Sequence, residues 1–360
     1  MTVLSTPSKA SDPASAGSLL PWVDTAKGIC ILLVVLMHTV LGIEKEFGQS
    51  GYLREVVAWT KPFRIPDFFM LSGFLAAGIG KLGWREFIDR KILHYAYFYL
   101  LWLAIIIVLK SLPAGSGAPA QIIAGLTSGL VEPFSTLWFI YVLPLFILGA
   151  RLARGWAIFP IIFAALILHF AASAYPAGGS FAMVSQLTSS TAINSFTLFF
   201  IFFLAGYFGR QLIEKLVQLT DRSLIVSSVI LAGWAGAHSA ALHAGITVIP
   251  GFTLIFGIAG GLAVAVLAVL IVRAGWLGWL AYCGRHSLAI YLTFVIPMAV
   301  TREIFAATGL LKQPDLVAAV TFAAAILLPL LLERVTAGQT IQFLFKRPLW
   351  ARLPYPGRTQ

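Results

Sequence analysis

Long, nearly uninterrupted apolar runs recur along the whole chain, and polar residues gather in the short stretches between them. A run of about 20 apolar residues is the length that an α-helix needs to cross the hydrocarbon core of a bilayer. Ten runs come near this length and predict helices over residues 26–43, 58–80, 93–112, 134–150, 155–175, 192–213, 223–241, 248–272, 285–301 and 315–333. The pattern therefore predicts an all-α, polytopic membrane protein with about ten transmembrane helices.

The composition of the chain agrees with this pattern. Hydrophobic residues make up 59% of the 360 residues and charged residues only 11%, and the mean hydropathy is +0.91. A soluble domain of this length would expose far more charge, so a soluble domain carried by a single membrane anchor is excluded. The two cysteines, Cys30 and Cys283, lie in or beside apolar runs, and no two histidines have the close spacing of a metal site. We therefore expect no disulfide framework, no metal and no bound cofactor.

The charge distribution predicts the orientation of the chain. The net charge is +11, but a nucleic-acid partner is rejected because the basic residues are scattered between apolar runs, where the positive-inside rule places them. With a cytoplasmic N-terminus, 18 of the 25 Lys and Arg residues fall in cytoplasmic segments and 7 do not. Both termini are therefore predicted to be cytoplasmic, and the uncharged loop 174–191 is predicted to lie outside.

Three regions are expected along the chain. Residues 1–20 are rich in Ser, Ala and Pro and lack an apolar core, which predicts a disordered cytoplasmic tail and not a signal peptide. Residues 21–335 carry all the apolar runs and predict one transmembrane domain. Residues 336–360 form a basic cytoplasmic tail that is too short to be a soluble domain.

Ionisable residues form a stripe along the first predicted helix. Lys27 and His38 are eleven residues apart, which is about three helical turns and ~16 Å of rise, so both side chains lie on one face. Asp24 points within about 40° of the direction of His38. Inserting an ionisable side chain at the centre of a membrane helix costs roughly 2.5–3.5 kcal/mol of free energy. Its presence there therefore indicates a structural or functional role. Lys27 and Asp24 are either interfacial anchors or functional groups, and His38 is either a packing residue or a reactive base.

A second polar group lies in "KPFRIPDFFMLSGFLAAG". Arg64 and Asp67 are predicted at the outer end of the second helix, within reach of the outer end of the first. Being three residues apart, they pair with each other, or one of them orients His38 or contacts a substrate hydroxyl. Ser72 and Gly73 lie in the middle of this helix, where small residues permit close helix packing.

A third group is the basic hairpin before the third helix, "KLGWREFIDRKILHYAYFYLLW". Arg85, Arg90, Lys91 and His94 crowd the start of that helix. One interpretation is ordinary positive-inside charge. The other is a cradle for the phosphates of a nucleotide, because several cations beside a helix start suit a polyanion.

Four segments resemble the acyltransferase-3 family of membrane acyltransferases. "DTAKGICILLVVLMHT", "FRIPDFFMLSGFLAA", "STLWFIYVLPLF" and "GRHSLAIYL" occur in the order seen in that family, and the resemblance covers residues 22 to about 333. The most specific mark is a basic residue, ten intervening positions and a histidine, here Lys27 and His38, with Lys where many members have Arg. Two departures stand out. In "DRKILH" only Arg90 and His94 stand in for two arginines three apart, and Phe294 occupies a position where histidine is common.

The resemblance implies a bacterial inner-membrane enzyme that transfers an acyl group, commonly acetyl, from cytoplasmic acyl-CoA to a hydroxyl of a surface or exported glycan or glycolipid. Neutral imidazole is the usual base for such a step, so His38 is the expected catalytic base. In a second form of the chemistry, His38 accepts the acyl group covalently and passes it on. Asp67 is the second expected catalytic residue, and the expected substrate contacts are Lys27, Arg64, Arg85, Arg90, His94 and Trp138.

Two other functions fit the same residues. Intramembrane His38 and Asp67 would serve as relay sites in a proton-coupled transporter, although the two halves of the chain show no convincing repeat. A non-catalytic sensor or flippase built on the same fold is the third alternative. Release of free thiol from acetyl-CoA that depends on His38 would separate the enzyme from both.

Overall fold

The structure, a computed structural model, describes residues 21–153, 158–174, 190–246, 249, 251–310 and 313–354, and all regular structure in this part of the chain is helical. The predicted tail 1–20 and nearly all of the loop 174–191 lie outside the described residues. The α-helices are α1 Pro21–Phe47, α2 Leu53–Thr60, α3 Pro66–Ala76, α4 Trp84–Phe87, α5 His94–Ser111, α6 Ala118–Val131, α7 Trp138–Ala153, α8 Ile158–Ala174, α9 Thr191–Phe208, α10 Arg210–Arg222, α11 Leu224–His243, α12 Phe252–Ala274, α13 Gly278–Arg285, α14 Ser287–Thr293, α15 Val295–Thr308 and α16 Pro314–Thr336.

The helices confirm an all-α, polytopic membrane protein. Among the described residues, seven helical segments are long and apolar enough to span a bilayer, and the bent pair α14 and α15 makes up to eight. The seven are Pro21–Phe47, Trp84–Ser111, Ala118–Ala153, Thr191–Phe208, Leu224–His243, Phe252–Ala274 and Pro314–Thr336. The count of ten spans and the cytoplasmic placement of both termini stay predictions.

Prolines divide two of the predicted spans. The span predicted over 58–80 consists of α2 and α3 joined by a turn, and Pro66, which has no N–H to donate, is the first residue of α3. The span predicted over 285–301 bends by 48° between α14 and α15. There Pro297 cannot donate to the carbonyl of Thr293, four residues earlier, so the helix is interrupted at that point. The break in each span brings side chains near the bend into the interior.

Glycines allow α3 and α9 to cross in close contact. A Cβ atom at Gly73 would lie 2.0 Å from the carbonyl oxygen of Phe203, and one at Gly206 would lie 1.8 Å from the carbonyl oxygen of Met70. The two glycines therefore let the two backbones approach each other directly, as small residues do in membrane bundles. The prediction that Gly73 serves close helix packing is confirmed.

A second glycine pair joins α1 to α13. A Cβ atom at Gly28 would lie 2.0 Å from the carbonyl oxygen of Leu280, and one at Gly284 would lie 1.7 Å from the carbonyl oxygen of Asp24. The crossing fixes the start of α1 against the end of α13. It thereby brings Lys27 on α1 close to Arg285 on α13.

The described part of the C-terminal tail packs against the start of α5. The Trp102 indole donates to the carbonyl of Leu344 at 3.1 Å. Arg347 is 5% exposed and Asp89 is 1% exposed, and the guanidinium donates both to the Asp89 carbonyl, at 2.6 Å, and to its carboxylate. This segment of the tail is therefore held on the membrane domain, and the domain boundary at residue 336 stays a prediction.

Candidate active site

His38 lines a cavity between α1, α3, α7 and α14. The cavity encloses about 520 Å³ and is lined by Val34, Met37, His38, Ile65, Phe68, Thr136, Trp138, Phe139, Tyr291 and Phe294. The His38 side chain is half-buried, and its ring centre lies 5.5 Å from that of Phe294. Within the described residues, no hydrogen bond to the imidazole is present. Its ring nitrogens are therefore available to a ligand in this volume, which we call the His38 cavity.

Phe294 and Thr136 are the two lining residues that most affect the polarity around His38. Phe294 is fully buried, and its ring packs against the His38 imidazole. The Thr136 hydroxyl is buried and has no hydrogen-bond partner in the part of the chain described. It follows Ser135, whose φ of 51° is uncommon for a residue with a side chain. The lining of the His38 cavity therefore includes one imidazole and one buried hydroxyl without a partner, among mainly apolar side chains.

Three basic side chains line a second cavity, at the end of the bundle where α1 begins. Lys27 on α1, His94 at the start of α5 and Arg285 at the end of α13 share this volume of about 890 Å³, which we call the basic cavity. The Asp24 carboxylate holds two of them, since it lies 3.2 Å from the Lys27 Nζ and 4.0 Å from an Arg285 nitrogen. One carboxylate cannot neutralise both cations, so the basic cavity favours an anion.

An aromatic wall separates the two cavities. Phe68, Phe139 and Tyr291 line both volumes, and we use this name for those three side chains. The rings of Phe68 and Phe139 are 4.6 Å apart and those of Phe139 and Tyr291 are 5.8 Å apart. The Tyr291 hydroxyl donates to the carbonyl of Thr136 at 2.5 Å and accepts from the backbone N–H of Ile140 at 3.3 Å. Tyr291 is thus fixed, while the two phenyl rings are held by apolar contacts alone.

Lys27 and His38 therefore face the same wall from opposite sides. This agrees with the prediction that they lie on one face of the first helix. Trp138, expected to contact substrate, also lines the His38 cavity, where its ring centre is 5.9 Å from that of Phe199. His94 lines the basic cavity, as its expected contact with the donor would require.

Asp67 and Arg64 are not part of the lining of either cavity. Asp67 is 2% exposed and, with Cys30 and Trp22, lines a separate cavity of about 290 Å³. Arg64 is also buried, and its guanidinium donates to the carbonyl of Val57 at 2.9 Å and to the Thr60 hydroxyl at 3.1 Å, which ties it to α2. Neither residue lines the His38 cavity or the basic cavity, so their expected roles in catalysis and binding stay predictions.

Arg85 and Arg90 of the hairpin also stand apart from the basic cavity. Arg85 is exposed on α4, and Arg90 forms an ion pair with Glu86 at 3.1 Å. Neither side chain lines the basic cavity. Their expected contacts with substrate stay predictions, and of the three substrate contacts expected in this hairpin the structure brings only His94 to the cavity.

Sequence reasoning missed Arg285, Thr136 and Tyr291 as site residues. Each lies inside one of the segments that carry the family resemblance, "GRHSLAIYL" and "STLWF", which is the signal that pointed to them. Their distance along the chain from Lys27 and His38 concealed that they share two cavities. Among the residues that the structure describes, no group of three or more His, Cys, Asp or Glu side chains is placed to hold a metal ion.

The profile of the acyltransferase-3 family, described as an acyltransferase domain, matches residues 20–334. Inner membrane protein YcfT of Escherichia coli (strain K12) is 25% identical over 144 residues, which are 34% of this chain and 40% of that protein. The chain thus aligns with less than half of the length of this relative, and no solved structure matches it. The match over nearly the whole helical domain shows that this multi-pass membrane protein belongs to the acyltransferase-3 family.

Proposed function

We propose that this acyltransferase transfers an acyl group, acetyl being the first choice, from acyl-CoA to a hydroxyl of a surface or exported glycan or glycolipid, with His38 as general base. The observation that supports this most is the position of a base and a cluster of cations on opposite sides of one aromatic wall. The relative named as an inner membrane protein supports placement in a bacterial inner membrane. On the charge distribution, the basic cavity faces the cytoplasm, where acyl-CoA is made.

The basic cavity suits the donor in both charge and shape. Lys27, His94 and Arg285 offer donors to phosphate oxygens, and an Arg–phosphate contact is charge-assisted and often bidentate. The rest of the lining is mainly apolar and includes Leu71 and Leu143. A donor that is anionic at one end and narrow and weakly polar at the other would therefore place its thioester at the aromatic wall.

The chemistry then follows from the position of His38. Neutral imidazole removes the proton from the acceptor hydroxyl as the oxygen attacks the carbonyl carbon of the thioester. A C–O bond forms, the C–S bond breaks, and the leaving thiolate takes up the proton carried by the imidazolium. The Thr136 hydroxyl, unpaired in the same cavity, is available to hydrogen-bond the acceptor or the developing oxyanion.

The test is the exchange of His38 for glutamine, which keeps a polar side chain but cannot act as a base. Purified protein in nanodiscs is incubated with labelled acetyl-CoA and acceptor-containing membranes, and thiol release and label transfer are measured. We expect His38→Gln to lose about 10²–10⁴-fold in rate while its thermal unfolding stays unchanged. His243→Gln, at an exposed histidine of α11, is the control and should keep full activity. An active His38→Gln enzyme would contradict the proposal, and accumulation of an acylated His38 would favour the covalent form.

A further inference from the structure

A groove at the C-terminal tail lies next to the basic cavity and has no role in the function proposed above. It runs between the end of α16 and the tail residues that follow Thr340–Leu344, and it encloses about 1040 Å³. Tyr282 and His286 form its third side. We call this volume the tail groove.

The charges in the tail groove favour an anion. Arg334 on α16 and Lys346 in the tail line it from two sides, and both side chains are exposed. Within the described residues, neither of them forms an ion pair. The only acid in the lining, Glu333, is 2.8 Å from the His286 imidazole and is thereby engaged. Two cations are left to bind a ligand.

Flat rings lie beside these cations. The Tyr282 ring is 4.4 Å from the His286 ring, and Phe345 is held by the Trp102 ring at 5.9 Å. The flat base of a nucleotide can stack on such side chains. A groove that offers rings and unneutralised cations together suits a ligand with a base at one end and a phosphate near it.

Two consecutive residues of the chain line the basic cavity and the tail groove, one in each. Arg285 lines the basic cavity, and His286 lines the tail groove. A single ligand with a nucleotide head and a long arm can therefore occupy both volumes by passing Arg285. Coenzyme A has this shape, since its 3′-phosphoadenosine is joined to the pantetheine arm by a diphosphate.

We propose that the tail groove binds the 3′-phosphoadenosine end of the coenzyme A donor, with its 3′-phosphate on Arg334 and Lys346 and its diphosphate at Arg285. This inference rests on the proposed function, because it takes acyl-CoA as the donor. It assigns the nucleotide to the tail, and the hairpin cations Arg85 and Arg90 are not needed for the 3′-phosphate.

The experiment compares coenzyme A with dephospho-coenzyme A, which lacks only the 3′-phosphate. The full chain is placed in phosphatidylcholine nanodiscs, and the dissociation constants of both compounds are measured. The natural chain should bind coenzyme A at least about tenfold more tightly, as expected for a charge-assisted contact. Arg334→Ala and Lys346→Ala should bring this ratio towards one and leave the affinity for dephospho-coenzyme A unchanged. The unchanged affinity also shows that each variant is folded.

Matched variants sharpen the comparison. Arg222→Ala and Lys215→Ala remove exposed cations of α10 that line none of the cavities described above, and both should keep the natural ratio. Arg334→Lys keeps the charge and should keep most of the preference for the 3′-phosphate.

Three outcomes would overturn the inference. The first is a natural ratio near one, and the second is a ratio that survives in both Arg334→Ala and Lys346→Ala. The third outcome is seen when the phosphatidylcholine is replaced by phosphatidylglycerol. If the ratio then falls to near one and coenzyme A binds more weakly, the groove binds a lipid phosphate. If neither compound binds the natural chain, the proposed donor itself is wrong. The three outcomes above do not contradict acyl-CoA as the donor.

Discussion

Replacing Gly206 by alanine tests the crossing of α3 and α9, which positions one face of the aromatic wall. The new Cβ atom would lie 1.8 Å from the carbonyl oxygen of Met70 and 2.9 Å from the backbone nitrogen of Phe74. Contacts below 3.0 Å are essentially never seen for a Cβ atom, so the first distance must grow by about 1.2 Å. Both contacts are to backbone atoms, which cannot rotate away. The helices themselves must therefore separate.

The expected cost follows from this displacement. Overpacking a well-packed interior typically costs about 1–3 kcal/mol, and a clash between two backbones belongs at the upper end of that range. A helix interior also gains about 0.5–1 kcal/mol when Gly becomes Ala, which offsets part of the cost. We expect Gly206→Ala to be destabilised by about 2–2.5 kcal/mol. Because Phe68 lies on α3, activity should fall as well.

The assay is thermal unfolding of the purified protein in one detergent, with Gly233→Ala as the control. Gly233 lies within α11, and an added Cβ atom would meet nothing within 4 Å, so this variant reports the helix-propensity gain alone. Gly73→Ala should behave like Gly206→Ala. The double variant should cost less than the sum, since both substitutions separate the same two helices. A Gly206→Ala protein as stable as Gly233→Ala would refute the reasoning.

Three further predictions concern other parts of the molecule. Phe139→Ala should open the aromatic wall and raise the rate with four- to eight-carbon acyl-CoA donors relative to acetyl-CoA. Phe196 is a half-buried ring outside both cavities, so Phe196→Ala should leave the donor profile unchanged. An identical profile in both variants would show that the wall does not select the acyl group. Asp89→Asn should lower the free energy of unfolding by about 3–5 kcal/mol, because it leaves the Arg347 guanidinium buried without a carboxylate. An unchanged urea-dependent unfolding curve would show that this ion pair does not stabilise the protein. Reporter fusions in the loop 174–191 should report the outer side, and a cytoplasmic signal there would reverse the orientation.

Relations within one helix could be read from the sequence. Lys27 and His38 share a face because a helix turns by a fixed angle per residue, and the structure shows both side chains against one wall. The small residue Gly73 marked a close helix contact for an equally local reason: only a residue without a side chain permits it.

Relations between helices could not be read in this way. Arg285 comes to Lys27 only because Gly28 and Gly284 let two helices meet, and nothing in the spacing of these residues indicates that they are partners. Asp67 was expected near His38 because both were placed at the same level of the membrane. The level fixes the depth of a side chain but not the direction in which it points, and Asp67 lines a different cavity, together with Cys30.

The contact between Asp89 and Arg347 has a consequence for biosynthesis. The two residues are 258 positions apart, and at about 5–20 residues per second the ribosome needs roughly 13–50 s to reach the second after making the first. During that interval the hairpin carries a carboxylate whose cation has not yet been made, while most of the membrane helices are already inserted. The hairpin can close only after translation has passed residue 347. A chain cut short before that point would contain every span that the structure describes, yet it would leave the Asp89 carboxylate without the Arg347 guanidinium that binds it.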